Sequence, residues 1–167
     1  MQSPDATATP PELTFGPLAT SEDAWAFRIL NEEWISKLFA LEDADRRTLG
    51  DPQGQILARG GHIYLARQGQ QPVGCVALSP MPDGTFELAK MAVTPTLRGR
   101  GVGRQLLKYA IEQARGQGIR RLFLGSSTRL PDAVHLYESL GFRHLPVERR
   151  PQLPYVRADV FMELLLN

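Results

Sequence analysis

A glycine-rich turn between a strand-like run and an amphipathic helix restricts the fold of this chain more than any other feature. Residues 85–93 read as a strand, the turn contains Gly99 and Gly101, and apolar residues then recur at helical spacing from Val102 to Ala114. The unpaired N–H groups of the first helical turn and the positive end of the helix dipole meet where the glycines lie. The segment therefore predicts an anion-binding site.

Glycine at this place lets a pyrophosphate approach the backbone without meeting a side chain. Neighbouring arginines can add positive charge. The candidate residues run from the turn into the helix: Arg98, Gly99, Arg100, Gly101, Val102, Gly103 and Arg104. A plain strand-to-helix connection stays open as the alternative. A P-loop is disfavoured because no Gly-Lys-Ser/Thr ends the turn, and a βαβ dinucleotide fold because the preceding strands look hairpin-linked.

Short strands and helices are predicted around this segment. Strands are expected over residues 13–19, 62–67, 73–79, 85–93, 121–125, 142–145 and 158–165, helices over 22–40, 102–114 and from Pro131, and a short turn over 43–49. We therefore predict an α/β fold around a largely antiparallel sheet. It forms a single domain over residues 13–167, behind a flexible tail of residues 1–12.

Charge and cysteine content exclude several classes of partner. The sequence has nineteen Lys and Arg and eighteen Asp and Glu, a formal net charge of +1. No overall electrostatic field therefore favours nucleic acid or membrane lipid as the partner. Cys75 is the only cysteine in the sequence, and no Cys/His cluster has zinc-ligand spacing, so no metal is expected. Without a signal-like segment or a long apolar run, cytoplasmic residence is the default expectation.

Two motifs resemble the GNAT superfamily of N-acetyltransferases. Arg98, Gly101 and Gly103 match its Arg/Gln-x-x-Gly-x-Gly/Ala signature for acetyl-CoA, and residues 135–142, HLYESLGF, look like its LYxxxGF element. The resemblance covers about residues 13–165. It implies an acyl-CoA-dependent N-acyltransferase that uses acetyl-CoA, with a sheet splayed between its fourth and fifth strands. The pantetheine arm would enter that opening and be held by backbone at Met91, Ala92 and Val93.

The same resemblance implies two catalytic residues. Tyr137 matches a tyrosine that commonly donates a hydrogen bond to the CoA sulfur, and a phenol with a pKa of about 10 stays protonated there; a core tyrosine is the alternative. Glu87 matches a glutamate that acts as a general base in the histone-acetylating branch. Strand alternation, barring a bulge, puts Glu87 on the face of Ala89, Met91 and Val93. A glutamate that binds substrate, orders water or pairs with a cation is the alternative.

The remaining expectations concern the end of the fifth strand and the amine acceptor. Many relatives have an asparagine near Ser127, whose hydroxyl either contacts CoA or caps a loop. Candidate acceptor contacts lie in the first helical region and the last loop: Trp34, Phe39, Glu42, Tyr155 and Arg157. Glu42 and Asp43 would suit a cationic amine, either a small molecule or a peptide. A homodimer and a CoA-binding or sensor module without turnover both stay open.

Overall fold

The computed structural model describes residues 12–166. Residues 1–11 of the predicted tail lie outside this range. The strands are β1 (Thr14–Pro17), β2 (His62–Gln68), β3 (Gln71–Pro80), β4 (Phe86–Val93), β5 (Arg121–Ser126), β6 (Arg143–His144) and β7 (Val160–Leu165). The helices are α1 (Ser21–Leu38), α2 (Asp43–Gly50), α3 (Pro52–Gln55), α4 (Val102–Gly116) and α5 (Pro131–Ser139). No helix within the described range has the length and apolar character needed to cross a membrane.

The seven strands form one sheet in the order β1-β2-β3-β4-β5-β7-β6. Every neighbouring pair is antiparallel except β4 and β5. This arrangement confirms the predicted α/β fold around a largely antiparallel sheet. The hairpin-linked meander of β2, β3 and β4 also agrees with the sequence prediction.

The sheet opens between β4 and β5. These strands pair only at Phe86 with Leu122 and at Glu87 with Phe123. Beyond that point β4 stays with β3 as far as Val93, whereas β5 follows β7 as far as Ser126. The backbone edges that face each other across the gap are therefore free to bind a ligand, as the resemblance implied.

Helices cover both faces of the sheet. On one face α4 buries Val102, Leu106, Leu107 and Ala110 against the strands, and α5 adds Tyr137 to the same cluster. On the other face the core is built from α1, α2 and the strands, with Phe27, Ile35 and Leu49 at its centre. The apolar stripe of α4 at helical spacing is the reason that this helix lies flat on the sheet.

A bulge in β4 changes which side chains share a face. The pairing with β3 shifts between Cys75 and Ala77, and Lys90 has a φ of +55°. Met91 and Val93 pack on the α4 side, while Ala92 belongs to the cluster under α1 and α2. Before the bulge, Ala89 pairs with Ala77 of that second cluster. The expectation that Glu87 shares a face with Met91 and Val93 is therefore wrong, because the extra residue reverses the alternation.

The first two helices differ from the prediction at their ends. α1 is unbroken and begins with a capping box, in which Thr20 Oγ1 accepts from Asp23 N at 3.0 Å and Asp23 Oδ2 accepts from Thr20 N at 3.1 Å. It ends at Leu38, two residues before the predicted end. The segment predicted as a short turn is the eight-residue helix α2.

Candidate active site

The opening between β4 and β5 forms a cleft of about 710 Å³. Its walls are β4 from Leu88 to Val93, the turn before α4, the start of α5 and the loop before β7. One end contains the glycine turn and the start of α4 and is called the glycine-turn end. The other, called the aromatic end, is lined by Trp34, Phe39, Lys90, Arg129, Tyr155 and Arg157.

The glycine-turn end presents backbone donors. Gly99 and Gly101 have φ values of +77° and +83°, left-handed conformations that favour glycine. The first helical hydrogen bond of α4 runs from Gln105 N to Gly101 O at 3.1 Å, so the preceding N–H groups have no helical acceptor. No acidic residue stands in the first turn. These features fit an anionic diphosphate group. Coenzyme A, the ligand that the sequence resemblance implied, contains such a group and therefore suits the residues present.

The arginines of the turn differ in position. Arg98 and Arg104 line the cleft, whereas Arg100 is exposed outside its wall. Arg98 Nε donates to Val93 O at 3.1 Å, and its guanidinium pairs with Glu33 of α1. Arg98 therefore fastens the turn to α1 in addition to adding charge. The other predicted residues of this end that line the cleft are Met91, Ala92, Val93, Gly99, Gly101, Val102 and Gly103.

Tyr137 lines the cleft from α5. Its backbone carbonyl accepts from Phe142 N at 3.1 Å, across a helix end where Gly141 has a φ of +100°. The ring packs on Phe142 with 5.8 Å between centroids. Within residues 12–166 the phenol has no protein hydrogen-bond partner. Its oxygen is not fully buried, because no fully buried side-chain oxygen in that range lacks a partner. Burial raises the pKa of Tyr137 to about 12, so the group holds its proton at neutral pH.

Ser127 has the loop-capping role that the sequence analysis left open. Its Oγ accepts from Arg129 N at 3.0 Å, which is a short-range turn contact. The residue is buried and lines the cleft. Contact of its hydroxyl with a cofactor stays a prediction.

A buried ionic cluster supports the aromatic end. Asp45, whose side chain is fully buried, accepts from both Nη atoms of Arg157 at 2.8 Å and from Lys90 Nζ at 2.7 Å. It also accepts from Glu42 N at 2.9 Å. Burial alone would raise the pKa of Asp45, but the hydrogen bonds from Arg157 and Lys90 outweigh it and hold the pKa well below its usual value.

Sequence reasoning missed Asp45 and Lys90. The pair Glu42 and Asp45 has the spacing of a capping box, which was the one available signal for Asp45 as a helix-start residue. Lys90 had no signal, because the bulge that turns it toward α2 leaves no mark in the apolar pattern.

Arg157 is the centre of the aromatic end. Its guanidinium carbon lies 4.6 Å from the centroid of the Tyr155 ring, 5.9 Å from that of Phe39 and 6.0 Å from that of Trp34. All four were candidate acceptor contacts, and the structure brings them together. Because Asp45 holds Arg157, the cluster fixes the end of the 146–157 loop against the cleft.

The predicted acidic residues lie behind this wall. Glu42 accepts from Val156 N at 3.2 Å and lies outside the cleft. Asp43 has 88% of its side chain exposed and pairs with Arg46. The expectation of an acidic wall for a cationic amine is therefore wrong, because these carboxylates fasten a loop or face solvent.

Glu87 lies in a separate cavity of about 80 Å³. Tyr155 and Lys90 line both this cavity and the main cleft. The Tyr155 hydroxyl donates to Glu87 Oε2 at 2.9 Å, and it lies 3.8 Å from where a Cβ would stand on Gly125 of β5. Burial raises the pKa of Glu87 above its usual value, although the Tyr155 hydrogen bond and the Lys90 charge oppose this.

The chain is similar to known acetyltransferases. Residues 25–142 match the family model described as the acetyltransferase (GNAT) family. The uncharacterized N-acetyltransferase YjgM of Escherichia coli strain K12 is 34% identical over 119 residues, which are 66% of this chain and 71% of that protein.

Solved structures share the fold. A GNAT-family acetyltransferase from Staphylococcus aureus Mu50 superposes with a TM-score of 0.82 at 20% identity, covering 93% of this chain and 100% of that one. A Salmonella typhimurium acetyltransferase, yncA, solved with its cofactor acetyl-CoA, gives a TM-score of 0.72 at 21% identity over 93% of this chain and 94% of that one.

The chain belongs to the GNAT acetyltransferase family, which confirms the resemblance found in the sequence. It is an N-acetyltransferase.

Proposed function

We propose that this enzyme transfers an acetyl group from acetyl-CoA to a primary amine by direct attack while both are bound. One observation carries the proposal. A single cleft joins an anion-binding turn, a protonated phenol and an aromatic, charged end. The Salmonella structure with acetyl-CoA supports the identity of the acyl donor.

The glycine-turn end would hold the donor. Backbone at Met91, Ala92 and Val93 faces the open side of β4, where no strand pairs beyond Glu87. The N–H groups at the start of α4 would bind the pyrophosphate, with Arg98 and Arg104 beside them. When bound, acetyl-CoA supplies an activated thioester, and one β4 N–H would polarise its carbonyl.

Tyr137 would act as the proton donor to the leaving thiolate. Its hydroxyl has no competing protein partner among the described residues, and its raised pKa keeps it protonated. A donor placed where negative charge develops lowers the barrier because the charge is neutralised as it forms.

Glu87 would accept the amine proton through Tyr155. The carboxylate does not line the cleft, but the Tyr155 ring does, and its hydroxyl already donates to Glu87. As Tyr155 takes a proton from the amine it passes its own proton to Glu87, so no tyrosinate forms. A carboxyl with a raised pKa is better suited to this role than an ordinary one.

The experiment that tests the proposal is release of free thiol from acetyl-CoA, measured against a library of amines. We expect release that depends on the amine and a product that carries one acetyl group. Tight binding of CoA with no release by any amine would contradict the proposal and would favour a binding module without turnover.

A further inference from the structure

The charges that line the aromatic end all have one sign. Among the residues described, its ionisable walls are Lys90, Arg129 and Arg157, apart from the phenol of Tyr155. The three nearby carboxylates, which belong to Glu42, Asp45 and Glu87, lie behind them, outside the wall of the main cleft. Among the described residues, Asp132 is the one carboxylate that lines the cleft, and it belongs to the first turn of α5. The surface offered to an acceptor is therefore cationic.

Arg129 differs from the other two cations. Lys90 and Arg157 are bound to Asp45, which offsets their charge. Arg129 has no carboxylate within 4.0 Å among residues 12–166. Its guanidinium carbon lies 4.6 Å from the centroid of the Phe39 ring, and its backbone is fixed by Ser127. A guanidinium placed on an aromatic face keeps its edge donors available for a planar anion.

The position of Arg129 assigns it to the acceptor and not to the phosphates of the donor. Phe39 receives Arg129 at 4.6 Å and Arg157 at 5.9 Å, so both arginines meet at the aromatic end. The phosphate-binding features belong to the other end, at Gly101 and the first turn of α4. The two arginines therefore lie apart from the features that would bind the pyrophosphate.

We infer that the amine acceptor also carries a carboxylate, which Arg129 binds, and that its apolar part packs against Phe39 and Trp34. This inference rests on the proposed function, because it names the substrate class of the same cleft. Arginine binds a carboxylate through two parallel N–H···O bonds, which gives orientation as well as affinity. The bound carboxylate would fix the acceptor so that its amine faces the open edge of β4.

The test compares L-amino acids with their own amides as acceptors of the acetyl group. Each pair shares its amine and side chain and differs in the carboxylate, so L-phenylalanine against L-phenylalanine amide is the lead pair. Because the amide has the more acidic ammonium group, kcat/KM is expressed for the neutral amine. Arg129→Gln is the variant, and Arg115→Gln, an exposed arginine in the last turn of α4, is its control.

We expect the wild-type enzyme to prefer the acids. Arg129→Gln should raise KM for the acids about tenfold to a hundredfold, the range for a lost hydrogen bond to a charged group. KM for the amides and for acetyl-CoA should stay unchanged, and Arg115→Gln should behave as the wild type. Equal or better use of the amides, or a rise in the KM for acetyl-CoA in place of the acids, would overturn the inference.

Calorimetric titration of the same acids and amides separates this inference from the proposed function. If no amine releases thiol but the acids bind and Arg129→Gln weakens that binding, the carboxylate site stands and the proposed reaction is wrong. If amides are acetylated at least as well as acids, the reaction stands and the inference is wrong. If none of the amino acids binds but amines without a carboxylate are acetylated, the inference is also wrong.

Discussion

The two ends of the cleft differ in the groups that form them: backbone N–H groups at one end and side chains at the other. The glycine-turn end is one continuous stretch, in which Gly99 and Gly101 bend the chain so that backbone N–H groups of α4 face the cleft. The aromatic end is made of side chains from the end of α1, from β4 and from the loops before α5 and β7, and the carboxylate of Asp45 behind them holds Lys90 and Arg157.

This difference affects how each end can change. A backbone site depends on conformation, so it tolerates substitution of neighbouring side chains and loses function when the turn is filled. A side-chain cluster depends on the pairing of buried charges, so loss of one member leaves the others unpaired in a low-dielectric interior. We therefore expect the glycine-turn end to tolerate most single side-chain substitutions outside the turn itself. We expect the aromatic end to be disrupted as a whole when one of its buried charged residues is removed.

The largest effect is expected from breaking the aromatic end at Asp45. Asp45→Asn leaves Lys90 and Arg157 without their common carboxylate, and loss of one partner from a buried pair costs about 3–5 kcal/mol in the free energy of unfolding. Denaturant unfolding measures it. Asp43→Asn, which changes an exposed carboxylate on the same helix, is the control and should change little. A loss for Asp45→Asn no greater than for the control would show that the cluster does not stabilise this end.

The next effect should break the glycine-turn end and leave the fold intact. Gly103→Glu puts a negative charge beside the phosphates, and like charges about 4 Å apart at an effective dielectric of about 20 repel by about 4 kcal/mol, so CoA affinity should fall on the order of a thousandfold. Gly103→Ala is the control, because its added Cβ would meet Leu136 and Val93 at an ordinary 3.8 Å. Calorimetry measures both. Unchanged CoA affinity in a folded Gly103→Glu variant would refute the phosphate site.

The same contrast explains what the sequence could predict. The turn and α4 were predictable because their signals, glycine spacing and an apolar stripe, lie within one short segment. The ionic cluster was not, because Asp45 and Arg157 are 112 positions apart and nothing local pairs them. The prediction of which sheet face carries Glu87 was wrong for a related reason. One extra residue at Lys90 reverses the alternation of side chains along the strand without changing its apolar composition.

A smaller effect is expected at Tyr137, which lines the cleft from α5. Tyr137→Phe keeps the ring on Phe142 and removes the hydroxyl, so turnover should fall about a hundredfold while acetyl-CoA affinity changes little. Rates need saturating acyl donor, because product release can mask the chemical step. Tyr109→Phe, a tyrosine stacked on Phe15 away from the cleft, is the matched control. Equal activity of the Tyr137 variant across pH would place this residue in the core alone.

The smallest effect is a pH dependence that separates two carboxyls of the same sheet. Burial raises the pKa of Glu87, so the folded protein holds that proton after the unfolded chain has lost it, and stability from this group falls as pH rises above the ordinary value of 4.5. Glu87→Gln removes this loss and can still accept from Tyr155, so it should gain stability relative to the wild type as pH rises and show no difference in acid.

Glu163 of β7 provides the opposite case. Burial would raise its pKa, but hydrogen bonds and charge from Arg121 and Arg149 outweigh this and lower it, so its contribution is present above the ordinary value and is lost as pH falls. Glu163→Gln should therefore be less stable than the wild type at neutral pH, and the difference should vanish in acid. Thermal or denaturant unfolding of both variants from about pH 2 to pH 8 gives the two slopes, because the loss at Glu163 lies below its ordinary pKa of 4.5 and the loss at Glu87 lies above it. The same slope sign for both would mean that the pKa of Glu87 is lowered in the folded enzyme, which would make its carboxylate too weak a base to accept the amine proton through Tyr155.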